Sequence, residues 1–135
     1  PAYGLYCRHV PGLTLDEIEL SVDRPDARPA VVLDDVGRAR VRALRAMPPG
    51  EGEALLWLRS VRDCVVRALR PRAGTTAVVR LSGADTTGVH LEGNDFSQVE
   101  TVVVADAEVA ASALRMGGNV MRGKPAPPRV TPKPS

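Results

Sequence analysis

Apolar positions recur in steps of three and four residues between Leu55 and Leu69. Leu55, Leu58, Val61, Val65 and Leu69, joined by Ala54 and Ala68, make one apolar stripe, and Arg59, Arg62, Arg67 and Arg70 collect on the opposite side. This spacing predicts a helix from about Glu51 to Arg70, ended by Pro71, which has no amide to donate. A shorter helix is expected from Asp34 or Asp35 through VGRARVRALRAM, stopped by Pro48, Pro49 and Gly50. Upstream, Ala30 to Leu33 is a short apolar run that reads as extended, and Asp23 to Pro29 reads as a loop. Residues 17 to 22 alternate polar and apolar as a strand does, yet Thr14 and Glu17 have capping-box spacing, so both readings stay open.

From Thr75 the period becomes two. Residues 77–81, 88–93 and 99–104 are each predicted as strands, joined by short turns into a meander, with Gly88 and Gly93 permitting a sharp bend. Residues 106–115 read as a helix on propensity alone, since alanine is the best helix former. Gly117 and Gly118 then turn the chain before Asn119 to Arg122. Residues 124–135, KPAPPRVTPKPS, read as an extended disordered tail, in which Pro125 and Pro128 fit P-x-x-P.

At 135 residues the chain has the size of one domain, and its aromatic residues are only Tyr3, Tyr6, Trp57 and Phe96, so a core must be built from Val, Leu and Ala. There is little here for stacking on bases or sugars. No apolar run is long enough for a membrane helix, and residues 1–12 lack a signal peptide's apolar stretch, so a soluble intracellular protein is expected. Cys7 and Cys64 are too few for a disulfide framework, in keeping with a reducing compartment. Pro1 in place of Met suggests a processed or excised product.

The net charge of +2 conceals blocks. Residues 1–35 carry three basic and seven acidic side chains, residues 36–80 ten arginines against Glu51, Glu53 and Asp63, and residues 81–119 only Arg115 against six acids. The last sixteen residues have four basic groups and no acid. Such alternation points to electrostatic complementarity, within the fold or across an interface.

Catalytic constellations are wanting. Val31 to Asp35 resembles the acidic strand end of nucleotide hydrolases, but no phosphate loop accompanies it, and a helix cap is the simpler role. Cys7, His9, Cys64 and His90 lack metal-ligand spacing, and Cys7 with His9 lacks an orienting third group. Neither an enzyme, a cofactor nor a metal is expected. Arg59, Arg62, Arg67 and Arg70 form either a solvated face or a contact for RNA phosphates.

Residues 88–99, GVHLEGNDFSQV, and 115–120, RMGGNV, resemble the two short motifs of the Sm and LSm family, matching at Asp95, Phe96, Gly117, Asn119 and Val120. The resemblance implies a mainly β fold, an Sm-like five-stranded, strongly bent small barrel preceded by an α-helix. The domain would span residues 51–123, after an N-terminal extension over 1–50 and before the Pro-rich tail over 124–135. Residues 109–115 would be the fourth strand and 119–123 the fifth. Ser97, Gln98 and Met116 stand where RNA-binding members carry their base clamp, so the resemblance is closer to the Gemin-type scaffolds of the SMN complex. It implies a non-enzymatic subunit for snRNP assembly, cytoplasmic and nuclear. Its edges, Val109, Ala111, Ser112, Ala113, Leu114, Asn119, Val120 and Met121, would pair with another Sm-fold protein. Two alternatives are an RNA-binding LSm ring subunit, with Gln98 and Arg115 near the RNA, and a basic-helix nucleic-acid binder using Arg59, Arg62, Arg67 and Arg70. No membrane and no small-molecule substrate are expected.

Overall fold

A computed structural model of the chain describes residues 2–24, 26–50, 52–122 and 129–131. It is a β-solenoid: the chain winds through about five turns, and each strand lies parallel to the one a turn earlier. Thirteen strands form, namely β1 (Leu5–Asp16), β2 (Glu19–Leu20), β3 (Val31–Arg42), β4 (Arg45–Ala46), β5 (Ala54–Val61), β6 (Cys64–Arg67) and β7 (Ala77–Ser82). They continue as β8 (Val89–Glu92), β9 (Asp95–Phe96), β10 (Thr101–Asp106), β11 (Leu114–Gly117), β12 (Val120–Met121) and β13 (Arg129–Thr131). The only helical element among the described residues is a 3-10 turn over Ala111–Ala113.

The register shows the repeat directly. Leu5 lies on Val31, Val31 on Leu56, Leu56 on Val79, and Val79 on Val103. A second stack runs Leu13, Ala39, Cys64, Val89 and Leu114. Each turn therefore takes about 25 residues, and the turns are termed rungs 1 to 5 here. Successive strands are spaced by about 4.8 Å along the axis.

Two corners per rung are made by single residues in left-handed backbone. His9, Asp35, Ser60 and Gly83 form one corner row, at φ of 57°, 56°, 54° and 95°. Glu17, Ala43, Ala68, Gly93 and Gly118 form the other, at 55°, 53°, 54°, 67° and 65°. The corner amides bond to the neighbouring rung, as in Ala43 N to Arg67 O and Ala68 N to Gly93 O, so the chain bends without leaving buried donors unpaired.

A corner residue shifts the in-out alternation by one. In rung 3 the inward residues are Leu56, Leu58, Val61, Cys64, Val66 and Leu69, all buried in one core. Their steps of two and three residues mimic a helical stripe, which is why the expected helix over residues 51–70 is instead β5, a corner and β6. The helix expected after Asp35 is likewise the end of β3, the Ala43 corner and β4. Asp34 and Asp35 cap no helix; both lie in β3 and take part in ion pairs between rungs.

The Sm-type barrel does not form. Strands were expected at 77–81, 88–93 and 99–104, and β7, β8 and β10 occupy those places, but they are not meander neighbours. β7 pairs in parallel with β5 and β10, whereas β8 pairs in parallel with β6 and β11. The expected fourth strand over 109–115 is a turn, the 3-10 turn and only the first part of β11. The fifth is β12, two residues long, in parallel with β9. Glu19 and Leu20, in the undecided segment, are the strand β2, which pairs with β4. The Pro-rich tail, with Pro125 and Pro128, lies outside the described residues apart from β13, which pairs with β10. No helix among the described residues is long and apolar enough to cross a membrane.

Candidate anion-binding groove

The outer surface is organised by the same repeat. Apart from Arg28 with Asp26, the ion pairs among the described residues join side chains on neighbouring rungs, as in Arg8 with Asp34 (3.6 Å), Asp34 with Arg59 (2.6 Å) and Arg67 with Glu92 (3.2 Å). The charge blocks of the sequence are thus brought against one another, the basic block of residues 36–80 lying over rungs 2 and 3 between the acidic ones. Most of these pairs are solvent-exposed and add little to stability.

One face is self-contained. Arg80 stacks on Trp57 with its guanidinium carbon 4.4 Å from the ring centre, and Arg59 lies 5.3 Å from it. The Trp57 indole N–H donates to Ser82 Oγ at 2.9 Å, and Ser82 Oγ donates to Asp106 at 2.7 Å. Burial pushes the Asp106 carboxyl up, but hydrogen bonds from Thr131, Arg80 and Ser82 outweigh it and hold the group below its ordinary value. The hydrogen bond from Arg59 likewise holds Asp34 down, with Tyr6 adding a second.

The face beyond the second corner is different. A groove of about 640 Å³ is lined by the corner residues Ala43, Ala68 and Gly93, by Arg45, Arg70 and Arg72, and by Asp95, with Leu44 and Leu69 behind. Its position follows from the fold. Arg42 lies in register on Arg67, and three residues further along each rung Arg45 and Arg70 occupy one row. Glu19, paired with Arg45 across β2 and β4, precedes them in that row, and Asp95 follows.

Like charges one strand spacing apart repel, and nothing in the rung geometry requires arginine at both positions. Arg70 is 82% exposed, and its only ion pair among the described residues is a long one, 3.5 Å from Nε to Asp95. Arg45 and Arg72 are exposed and form no ion pair among the described residues. Three guanidinium groups therefore border a cavity whose size suits a ligand of several rings.

The residues singled out from sequence scatter over the solenoid. Arg59, Arg62, Arg67 and Arg70 do not share a face: Arg59 reaches Asp34, Arg62 reaches Asp35 and Asp85 at a corner, Arg67 reaches Glu92, and only Arg70 borders the groove. Gln98 is an exposed residue in the turn after β9, and Arg115 an exposed one on β11, so the two form no base clamp. Of the expected strand edge, Val109, Ala111 and Ser112 lie before β11, Ala113 is buried, and only Leu114, Val120 and Met121 are in strands. Asn119 is structural: its Nδ2 donates to Leu91 O at 2.7 Å and its Oδ1 accepts from Asn94. Pairing with a second Sm-fold protein, and with it a part in snRNP assembly, rested on a barrel that this chain does not form.

Cys64 is buried in the core, where desolvation pushes its thiol up to about 12, while Cys7 is half-buried at the solenoid's first rung. His9 Nδ1 lies 2.6 Å from Asp35. Among the described residues no group of three or more His, Cys, Asp or Glu side chains is placed to hold a metal ion. Arg45 and Arg72 are groove residues that the sequence did not single out; the repeat of Val-Arg-Ala-Leu-Arg at 41–45 and 66–70 points to Arg45, and no pattern points to Arg72. No known protein family, curated protein or solved structure matches this chain.

Proposed function

We propose that this β-solenoid is a binding module, not a catalyst, and that its groove holds a linear acidic polysaccharide. The observation that carries the reading is the placement of Arg45 and Arg70 in one row, with Arg72 beside them, around a cavity of about 640 Å³. An anion seated between the two arginines turns their repulsion into paired, charge-assisted hydrogen bonds, and a planar carboxylate fits the arginine fork. Arginines in the same place on two successive rungs favour a ligand that lies along the solenoid axis. The corner residues Ala43, Ala68 and Gly93 are small and leave room for a chain to approach the backbone.

The same features disfavour nucleic acid. Single-stranded binding depends on aromatic platforms, and the one tryptophan, Trp57, is engaged by Arg59 and Arg80 on another face. Asp95 at the groove repels a phosphate backbone but accepts hydrogen bonds from sugar hydroxyls.

The test is titration of the protein with polygalacturonate and alginate at low and at physiological salt. Binding that weakens with salt, and weakens by roughly tenfold or more in Arg45→Ala/Arg70→Ala, is the expected result. Absence of binding at low salt, or equal affinity of the double variant, overturns the proposal. Release of new reducing ends during incubation would overturn its non-catalytic part.

A further inference from the structure

We infer that Asp95 is the residue that makes the groove choose a hydroxyl-bearing polyanion over a densely charged one. The inference rests on the polysaccharide reading above, and concerns how that same groove discriminates.

The groove's outer row runs Glu19, Arg45, Arg70, Asp95 and Val120, one residue per rung. Its cationic stretch is therefore only two rungs long and closed by a carboxylate on each side, Glu19 and Asp95 lying about 14 Å apart across three strand spacings. A ligand whose charges are spaced more closely than the rungs, such as inorganic polyphosphate, cannot occupy the stretch without setting an anion against one of the two. A uronate chain turns successive carboxylates to different sides, and so can offer hydroxyls where Asp95 stands.

The bonding of Asp95 suits it to that task. Both the backbone amide and the hydroxyl of Ser97 donate to Oδ1, at 3.0 and 2.6 Å, which fixes the carboxylate's orientation. These two bonds also hold its pKa below the usual carboxylate range, with Arg70 adding to them, so it stays ionised. Oδ2 meets only Arg70 Nε among the described residues, and at 3.5 Å. It retains acceptor capacity for a hydroxyl of a bound ligand. Positioned by Ser97 in the lining of the groove, it is a fixed acceptor that a second anion cannot approach cheaply.

Asp95→Asn keeps the shape and the Ser97 bonds but removes the charge. Wild type and variant are titrated with polygalacturonate and with inorganic polyphosphate at matched ionic strength, after equal melting temperatures confirm folding. The expected result is a polyphosphate affinity raised about fivefold with polygalacturonate affinity unchanged or lower, because only the former relieves like-charge contact. Asp95→Ala, which offers no acceptor at all, should lose the preference in the same direction. If both ligands gain by the same factor, Asp95 merely tempers Arg70 and the inference falls while the groove reading stands. If the wild type binds no polygalacturonate, the groove reading falls and takes this inference with it.

Discussion

Ala68 occupies a corner at φ 54°, and in the next two rungs the same corner is Gly93 at 67° and Gly118 at 65°. An L-residue held in the left-handed region costs roughly 1–2 kcal/mol, whereas glycine adopts it freely. Against this stands the extra unfolded-state entropy of glycine, about 0.5–1 kcal/mol. Ala68 is exposed, so its methyl contributes little burial. The balance is a stabilisation of roughly 0.5–1 kcal/mol for Ala68→Gly, or about 2–5 °C in melting temperature. In an ordinary strand or helix the same change is destabilising, so the sign alone is diagnostic. The reciprocal Gly93→Ala, where a Cβ would meet no neighbour within 4 Å, should cost about 1 kcal/mol through backbone strain and not through a clash. Urea denaturation of both variants beside wild type decides the matter. A lowered midpoint for Ala68→Gly would refute the corner argument.

Asn94 is buried, donating to Val66 O at 3.0 Å and accepting from Leu69 N at 2.9 Å, so Asn94→Ala strands two backbone groups and should cost about 1–3 kcal/mol; an unshifted urea midpoint would contradict this. Asp34 and Asp106 have carboxyls held below their ordinary values, so the stability they contribute is full above the unfolded pKa of about 4 and is lost as pH falls through the lowered folded values. The melting temperature should accordingly hold from pH 7 to about pH 5 and fall below about pH 4, less steeply in Arg59→Leu; an identical acid slope in that variant would sink the assignment. Cys64, with its thiol pushed up to about 12 by burial, should react with a thiol reagent only as fast as the protein unfolds, while half-buried Cys7 reacts sooner; equal rates would show that Cys64 is not in the core.

The extended run before Asp34 and the strands near residues 77, 89 and 101 are legible in their β-branched residues and two-residue alternation. What the local pattern does not reveal is which strands are neighbours. Strand order in a solenoid is set by a period of about 25 residues, and within any window of a dozen residues that period is invisible. The traces it leaves are pairs such as Val41 to Arg45 with Val66 to Arg70, and Gly93-Asn94 with Gly118-Asn119. Left-handed alanines at 43 and 68 hid the corners, because alanine in sequence suggests a helix. Asp95, Phe96, Asn119 and Val120, which resembled Sm motifs, owe their spacing to the ladder in which Asp95 lies under Val120 and Asn94 bonds Asn119. The charge blocks were legible as complementary, and their meaning became plain once the stacked rungs set arginines against acids of the neighbouring turn. The groove left one trace in the sequence, the repeated Val-Arg-Ala-Leu-Arg that sets Arg45 and Arg70 a rung apart, and it has meaning only once the rungs are stacked.

The stacking of rungs underlies both the fold and the groove, and it makes a demand that no barrel or helix bundle shares. Backbone proton contacts in solution should link His90 with both Val65 and Arg115, and Trp57 with both Val32 and Arg80, in a parallel pattern. Nuclear Overhauser spectra of the labelled chain measure this directly. Contacts at separations of about 25 residues, with none of antiparallel type between residues 77–82 and 89–92, are the outcome required by the solenoid. Antiparallel contacts between those two segments, or sequential helical contacts through residues 54–70, would contradict it.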